Sequence, residues 1–206
     1  MGSVFEFVKN GGVMMYPLIL SSIVLIALVI ERGIAMRKAS RDGDDLLEQV
    51  KAHYKSPADA ASTIALSESF GGPIGRMFAR GIKNAQRSAD AIEMAMEQEA
   101  ANETPALEAY LPVMKTIINI APLLGLLGTI AGMISSFRAA AHSGLSNPTQ
   151  VLGGISEALI STATGITLAI VGFIFFNFFS NQSKKIVEDM EYYGAELVNF
   201  LTGRVD

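Results

Sequence analysis

The sequence contains no cysteine and no tryptophan, and only two histidines, His53 and His142. Without cysteine, the 206 residues offer no disulfide, no thiolate nucleophile and no Cys-type zinc site. Each histidine stands far from other metal-ligating residues in the sequence, so we expect both to be solvated surface residues. We therefore expect no metal and no other cofactor.

Charged residues are also scarce. They make up 17% of the chain, against about 25% in soluble proteins, while 50% of the residues are hydrophobic. No basic stripe with interleaved aromatic residues is present, which argues against nucleic-acid binding. The sequence shows no nucleophile–base constellation, and Gly125, Gly128 and Gly132 lie in an apolar stretch without the lysine of a phosphate-binding loop. We therefore expect no enzymatic activity.

Three apolar stretches without charge stand out, at residues 13–30, 117–137 and 158–179. A helix needs about 20 apolar residues to cross a membrane, and no alternating strand pattern appears. The sequence predicts an all-α integral membrane protein with three transmembrane helices and long cytoplasmic helical extensions. The first stretch lacks the basic start and the cleavage site of a signal peptide, so we expect a retained anchor. The predicted segments are an N-terminal interfacial segment (1–12), transmembrane helices at 13–30, 113–138 and 154–180, a cytoplasmic helical region (31–112), a periplasmic loop (139–153) and a cytoplasmic C-terminal helix (181–206).

Lysine and arginine predict the orientation. Four follow the first span within about three turns, and two follow the third, whereas residues 139–156 contain none. Because basic residues collect on the cytoplasmic side, we expect the N-terminus outside and the C-terminus inside. The basic residues that follow the two spans are Arg32, Arg37, Lys38, Arg41, Lys184 and Lys185.

The parts outside the membrane are predicted to be helical. Ser56 before Pro57, and Ser88, are typical helix starts, and Gly71–Gly72–Pro73 is a helix break. The C-terminal tail carries a one-sided apolar stripe. This stripe must pack either on the preceding helices or on a neighbouring subunit, and the sequence leaves both open. Its residues are Ile186, Met190, Tyr193, Leu197 and Leu201.

The second and third spans each carry a stripe of small residues with one threonine in it. In lipid, such stripes let helices approach closely. The other side of the third span, with Leu159, Ile166, Ile170 and Phe173, is predicted to face lipid. Each threonine hydroxyl either bonds a carbonyl one turn back or faces a polar passage or a partner helix. The stripes are Pro122, Gly125, Thr129, Gly132 and Ser136 in the second span, and Ala158, Thr162, Gly165, Ala169 and Gly172 in the third.

Glu157 is the acidic residue nearest to these stripes. Asn147 and Pro148 are a typical cap and first residue of a helix, which places Glu157 almost three turns inside it. Ser161 and Thr164 follow it at helical spacing. Carboxylates within a membrane usually face a cavity or a partner. The alternative is that Glu157 lies at the outer interface.

Two longer motifs resemble those of a known family. The run APLLGLLGTIAGMISSF, residues 121–137, resembles the AP-x-x-GL-x-GT-x-x-G signature of the MotA/TolQ/ExbB proton-channel family. The run GISEALISTATGITLAI, residues 154–170, resembles the second signature of that family. Three spans are similar to the ExbB/TolQ branch, whereas the MotA branch has four. One departure is Val171, where the family often has proline.

The resemblance implies a pore-forming subunit of a motor driven by the proton-motive force in the bacterial inner membrane. It implies a homopentamer around an ExbD- or TolR-like single-span partner that carries a proton-binding aspartate, acting with a TonB- or TolA-like protein. The work would be TonB-dependent uptake or Tol-type envelope maintenance. Thr129 and Thr162 match the pore-facing motif threonines, and Glu157 matches the glutamate near the outer end.

The sequence therefore predicts two sets of site residues. The proton pathway comprises Thr129, Thr162, Glu157, Ser161 and Thr164. The helix-packing or partner-facing set comprises Gly125, Gly128, Gly132, Ala158, Gly165 and Ala169. One alternative is a membrane scaffold that conducts nothing. A secondary transporter is a second alternative, but transporters usually have more spans and an internal repeat.

Overall fold

The computed structural model describes residues 10–143 and 148–204, with the side chains of 142, 143, 148, 150 and 151 left aside. This described part contains helices and no strand, which confirms the all-α prediction. The predicted cap Asn147, most of the interfacial segment 1–12 and the side chain of His142 lie outside it. The α-helices are α1 (Met15–Ala39), α2 (Gly43–His53), α3 (Ala60–Phe70), α4 (Gly72–Lys83), α5 (Ala89–Leu107), α6 (Leu111–Ser143) and α7 (Pro148–Thr202), with a short 3₁₀ helix at Pro57–Asp59.

Three of the described helices, α1, α6 and α7, contain segments long and apolar enough to cross a membrane. The three predicted transmembrane helices are thereby confirmed. Each helix extends beyond its apolar segment, because nothing in the adjoining sequence breaks it. Helix α7, for example, runs on through Lys184 and Lys185 to Thr202.

Local signals set the boundaries of the shorter helices. The Asp42 carboxylate accepts a hydrogen bond of 3.1 Å from the backbone N–H of Asp44 at the start of α2. Ser56 and Asp59 form a reciprocal capping box around the 3₁₀ helix. Gly71 ends α3 with φ 71°, a left-handed conformation that glycine adopts without strain.

The chain divides into two compact units. The membrane unit comprises Met1–Glu31 and Tyr110–Phe178, and the extension unit comprises Arg32–Ala109 and Phe179–Asp206, each as far as it is described. In the membrane unit, Met15 and Leu18 of α1 are buried against Ala121 of α6. Partly buried residues of α6 and α7, among them Leu124 and Leu168, complete this core.

The apolar stripe of the C-terminal tail packs within the extension unit. Ile186, Met190 and Leu197 are almost fully buried. Leu197 and Met96 of α5 both reach the space beside Gly81 of α4. Each fully buried side chain of this type contributes about 1.5–3 kcal/mol. Of the two alternatives left open by the sequence, packing on the preceding helices of the same chain accounts for this stripe.

The ion pair between Arg76 of α4 and Glu103 of α5 joins two helices of the extension unit. Both guanidinium-to-carboxylate hydrogen bonds are formed, and they raise the pKa of Arg76 above its ordinary value. The side chain of Glu103 is 12% exposed and that of Arg76 is 50% exposed. We expect Glu103→Gln to lower the free energy of unfolding by about 1–2 kcal/mol, because the largely buried side chain that pairs with Arg76 loses its charge.

The measurement is a denaturant titration of the full chain in detergent, followed by circular dichroism. Lys51→Gln is the matched control, since Lys51 and Glu196 form a pair at 3.6 Å whose side chains are 38% and 40% exposed. Such an exposed pair contributes about 0.2–1 kcal/mol. Equal effects of the two substitutions would contradict the structural role of Glu103.

Candidate functional site

Helices α6 and α7 run antiparallel and approach each other almost to backbone contact. A Cβ atom on Gly132 would lie 2.6 Å from the carbonyl oxygen of Gly154, and one on Gly125 would lie 3.0 Å from Cα of Thr162. A Cβ on Gly165 would overlap the carbonyl oxygen of Ala121. A side chain at Gly132 or Gly165 would therefore require the opposite backbone to shift, and one at Gly125 would require it to give by a few tenths of an ångström.

Two serine hydroxyls fill the remaining space between these helices. The Ser161 side chain occupies the position of a Cβ on Gly128, and the Ser136 side chain does so at Gly154. Both serines are buried. Ser161 donates to the carbonyl of Ala158 at 3.0 Å, and Ser136 donates to that of Gly132 at 3.1 Å. Ser161, predicted to belong to the proton pathway, thus lies inside one chain.

The threonines of the two spans make different hydrogen bonds. Thr162 donates across the helix pair to the carbonyl oxygen of Gly125 at 2.9 Å. Thr129 donates to Leu126 at 2.6 Å, and Thr164 donates to Ile160 at 2.8 Å, each within its own helix. Bonding one turn back therefore describes Thr129 and Thr164, whereas Thr162 bonds the neighbouring helix.

Thr129 and Thr162 lie at the same level and on the same side of the helix pair. Gly128 and Ser161 contact each other across the helix pair. Thr129 directly follows Gly128, and Thr162 directly follows Ser161. One residue turns an α-helix by about 100°. Because the two helices are antiparallel, both rotations turn toward the same side. We call the surface formed by Thr129, Thr162 and the exposed residues beside them the threonine face.

Helix α1 covers the opposite side of the pair. Gly128 contacts Met14 just before α1, and Leu124 packs on the core formed by Met15 and Leu18. Leu124 precedes Gly125 by one residue and is turned away from Thr129. The described part of the chain therefore leaves the threonine face uncovered, and both of its threonines are partly exposed.

Glu157 lies on the other flank, beside the turn that precedes α1. Its carboxylate occupies the space that a Cβ on Gly12 would need, and Gly12 has φ 72°. Five residues separate Glu157 from Thr162, which corresponds to about 140° around the helix. Thr164 follows Glu157 by about two turns on the same flank. The structure thus brings Thr129 and Thr162 together and places Glu157 apart from them.

The side of α7 predicted to face lipid lies next to Thr162 rather than opposite it. Leu159, Ile166, Ile170 and Phe173 are exposed in the chain. Leu159 and Ile166 lie three residues before and four residues after Thr162, which puts them on its side of the helix. Thr162 lies at the edge of the buried stripe rather than at its centre. The exposed apolar residues and Thr162 therefore share one surface, the threonine face.

Sequence reasoning missed the packing roles of Gly12 and Gly154. The signal at Gly12 was the glycine pair before the first span, and Gly154 extends the stripe of Ala158 by one turn. Thr167 was also not singled out. It is exposed on α7 and donates to the carbonyl oxygen of Ala163 at 2.8 Å. No group of His, Asp or Glu residues suited to hold a metal occurs among the described residues.

Both signature runs lie within one match to a known family. The profile of the MotA/TolQ/ExbB proton channel family matches residues 71–192, more than half of the chain. The chain belongs to this family. An ExbB-like biopolymer transport protein of Synechocystis is 33% identical over 171 residues, which cover 82% of this chain and 81% of the relative.

Two further relatives widen this comparison. The Tol-Pal system protein TolQ of Pseudomonas aeruginosa is 28% identical over 90% of this chain and 86% of its own length. An ExbB homologue of the archaeon Methanothermobacter thermautotrophicus is 30% identical over 82% of this chain and 60% of its own length. The resemblance drawn from the two motifs is confirmed, and the chain is a membrane protein of the ExbB/TolQ proton-channel type.

The close approach of α6 and α7 predicts which glycines tolerate substitution. We expect Gly165→Ala to destabilise the membrane unit by about 1–3 kcal/mol, because the added methyl group overlaps a backbone carbonyl that must move. Gly153→Ala on the same helix is the control. Its added methyl group would meet no other described part of the chain within 4 Å, so a neutral effect, or a gain of up to about 1 kcal/mol in helix propensity, is expected.

Unfolding of the full chain by SDS in mixed micelles, followed by helical circular dichroism, measures both variants. If Gly165→Ala were as stable as Gly153→Ala, the tight contact between α6 and α7 would be wrong.

Proposed function

We propose that this chain is the pore-forming subunit of an inner-membrane motor driven by the proton-motive force. In this proposal it assembles as a homopentamer around the membrane helix of an ExbD- or TolR-like partner, whose aspartate takes up and releases protons. The observation that carries the proposal is the threonine face, on which two threonines at one level are left uncovered by residues 10–143 and 148–204.

The distribution of charge supports a second protein as the source of the acid. Residues 117–137 and 158–179 contain no Asp, Glu, Lys or Arg. The chain alone therefore presents no titratable group at the middle of these two spans. A single-span partner with an intramembrane aspartate supplies this group, and the proton channel family to which the chain belongs is the context for it.

The hydrogen bonds of the threonines determine what they offer to such an acid. A hydroxyl has one donor and two acceptor lone pairs. Thr129 and Thr162 both use their donor on a backbone carbonyl, so each presents lone pairs. A protonated carboxylic acid can donate to a lone pair, whereas a carboxylate has no proton to give. The threonine face therefore favours the protonated, neutral form of the partner's aspartate.

The apolar surroundings strengthen this preference. Exposed Leu126, Leu159 and Ile166 flank the two threonines. A charged side chain at the bilayer centre costs about 2.5–3.5 kcal/mol on insertion scales, so loss of the proton changes the position that the partner prefers. A proton that crosses roughly 100 mV releases about 2.3 kcal/mol. Repeated protonation would thereby drive relative motion of the two proteins, applied to TonB-dependent uptake or Tol-type envelope maintenance with a TonB- or TolA-like protein.

Glu157 has a separate place in the proposed pathway. With the N-terminus periplasmic and the C-terminus cytoplasmic, as the basic residues indicate, Glu157 lies toward the outer end of α7. It shares a flank with Thr164 and contacts the turn at Gly12. We assign it to proton delivery at the outer mouth, with Thr164 beside it. Ser161 is a packing residue in this assignment, because it is buried between α6 and α7.

A membrane scaffold that conducts nothing is the competing function. The exposed leucine, isoleucine and phenylalanine side chains of the threonine face would then contact lipid in the assembled protein. The two functions differ in what the threonine hydroxyls do. A scaffold requires neither of the uncovered hydroxyls, while a proton pathway requires both.

We expect Thr129→Val and Thr162→Val each to reduce proton flux about tenfold, as expected for one lost hydrogen bond of about 1.4 kcal/mol. The measurement is proton flux into liposomes that contain the full chain and its co-expressed partner. Thr167→Val is the control, because it removes an exposed hydroxyl from α7 at about 140° from Thr162. Thr129→Val is the cleaner variant, since its hydroxyl bonds only its own helix. Undiminished flux in all three variants would remove the two threonines from the pathway, whereas flux no higher than that of empty liposomes for the unsubstituted chain would favour the scaffold.

Glu157→Gln tests the outer mouth. The substitution keeps the volume of the side chain and removes its charge, so we expect lower proton flux with an unchanged oligomer size. Glu188→Gln, an exposed position on the same helix beyond the apolar stretch, should conduct normally. Undiminished flux in Glu157→Gln would make Glu157 an interface residue without a part in conduction.

A further inference from the structure

A cavity of about 550 Å³ in the extension unit has four cationic side chains in its lining. Four basic residues reach it, Arg32, Lys38, Arg41 and Arg76, but only one carboxylate, that of Glu103. Glu103 is already bound by Arg76 through both of its oxygens. The lining therefore carries an excess of positive charge that its own carboxylate does not neutralise.

The basic side chains are positioned from separate segments of the chain. Arg32 on α1 is 4% exposed and donates to the carbonyl oxygens of Ala106 and Leu107 at 3.0 and 3.4 Å. Arg41, just after α1, donates to the carbonyl oxygen of Phe70 and stacks over its ring at 5.5 Å. These uncharged partners fix the direction of the Arg41 guanidinium and leave its charge in place.

Lys38 contributes a further exposed charge to the cavity. It is exposed, and within the described part of the chain it makes no hydrogen bond or ion pair. An ammonium group has three rotatable donors. Lys38 and Arg41 together can therefore hold an anion that enters from solvent or from the membrane surface.

The position of these residues along α1 favours the membrane surface. Arg32 follows the last residue of the first apolar stretch by two residues, and Lys38 follows it by eight. At about 1.5 Å per residue, they lie about 3 and 12 Å beyond the apolar stretch along the helix. The headgroup layer on each side of a bilayer is roughly 5–8 Å thick, so Arg32 lies at its level, and the long side chain of Lys38 can reach back to it from the cytoplasmic side.

The apolar part of the lining fits the same kind of ligand. Buried Met36 and Leu107 line the cavity together with the cations. A free phosphate would gain nothing from such side chains, whereas the glycerol and the first methylenes of a phospholipid would contact them. The cavity therefore offers cations to the phosphate of a lipid and apolar side chains to its glycerol and first methylenes.

We propose that this cavity binds the headgroup phosphate of an anionic phospholipid, held mainly by Lys38 and Arg41. Basic pockets beside membrane helices on the cytoplasmic side bind anionic headgroups by the same electrostatics. The site is independent of the proton pathway, because none of its residues belongs to the threonine face or to the flank of Glu157. Proton flux and lipid binding can therefore fail separately.

The test uses the full chain in detergent, titrated with phosphatidylglycerol or phosphatidylcholine and followed by native mass spectrometry. We expect saturable binding of one phosphatidylglycerol per chain and a clear preference over phosphatidylcholine. Lys38→Gln and Arg41→Gln should each weaken phosphatidylglycerol binding roughly fivefold. Arg37→Gln is the matched control, since Arg37 is exposed on α1 next to Lys38 but does not line the cavity.

Three results would overturn the proposal. Equal weakening by Arg37→Gln would mean diffuse attraction to the basic segment rather than a cavity. Displacement of the lipid by inorganic phosphate at an equal concentration would assign the site to a soluble anion. Equal binding of the two lipids by the wild-type chain would show that the cavity does not recognise an anionic headgroup. This last comparison needs no variant, so it decides the matter even where a substitution disturbs the fold.

Discussion

The near contact between the backbones of α6 and α7 is the constraint on which the membrane unit depends. It requires glycine at Gly132 and Gly165, where a Cβ would overlap the opposite backbone, and it leaves Gly125 only a tight fit. In lipid, where burying apolar surface gains nothing between helices, this packing is a main source of attraction. The contact also fixes the rotation of each helix, and so decides which side chains leave the interface and in which direction.

The sequence was sufficient to predict the three membrane helices and the small-residue stripes, because charge-free length and helical spacing are local properties. It could not predict on which flank a residue at the edge of a stripe would lie. Thr162 and Glu157 are five residues apart, and their different surroundings depend on where α1 packs. The contact of Glu157 with Gly12 joins residues distant in the sequence, which no local pattern encodes. The sequence showed the apolar stripe of the C-terminal tail, but it did not show on which helices the stripe packs.

The division of small and large residues around α7 has a consequence for the threonine face. The large side chains Leu159 and Ile166 are excluded from the α6 contact by size, and so they flank Thr162 outside it. A hydroxyl in such surroundings has few polar neighbours. The hydrogen bond from this hydroxyl to a carbonyl therefore persists. Its remaining lone pairs are the only hydrogen-bonding groups that it presents to a partner. The same packing that excludes bulky residues from the interface thus creates a dry surface with isolated acceptors.

This arrangement bears on how protons would move under the proposed function. Transfer along a chain of hydroxyls requires each one to donate to the next. Thr129, Thr162 and Ser161 each donate to a backbone carbonyl instead, and a backbone carbonyl has no proton to pass on. The described hydroxyls therefore form no relay through the membrane unit by themselves. A proton that crosses at this level therefore needs a carrier other than these hydroxyls, and an acid on a second protein, neutral while it passes the threonine face, can be that carrier.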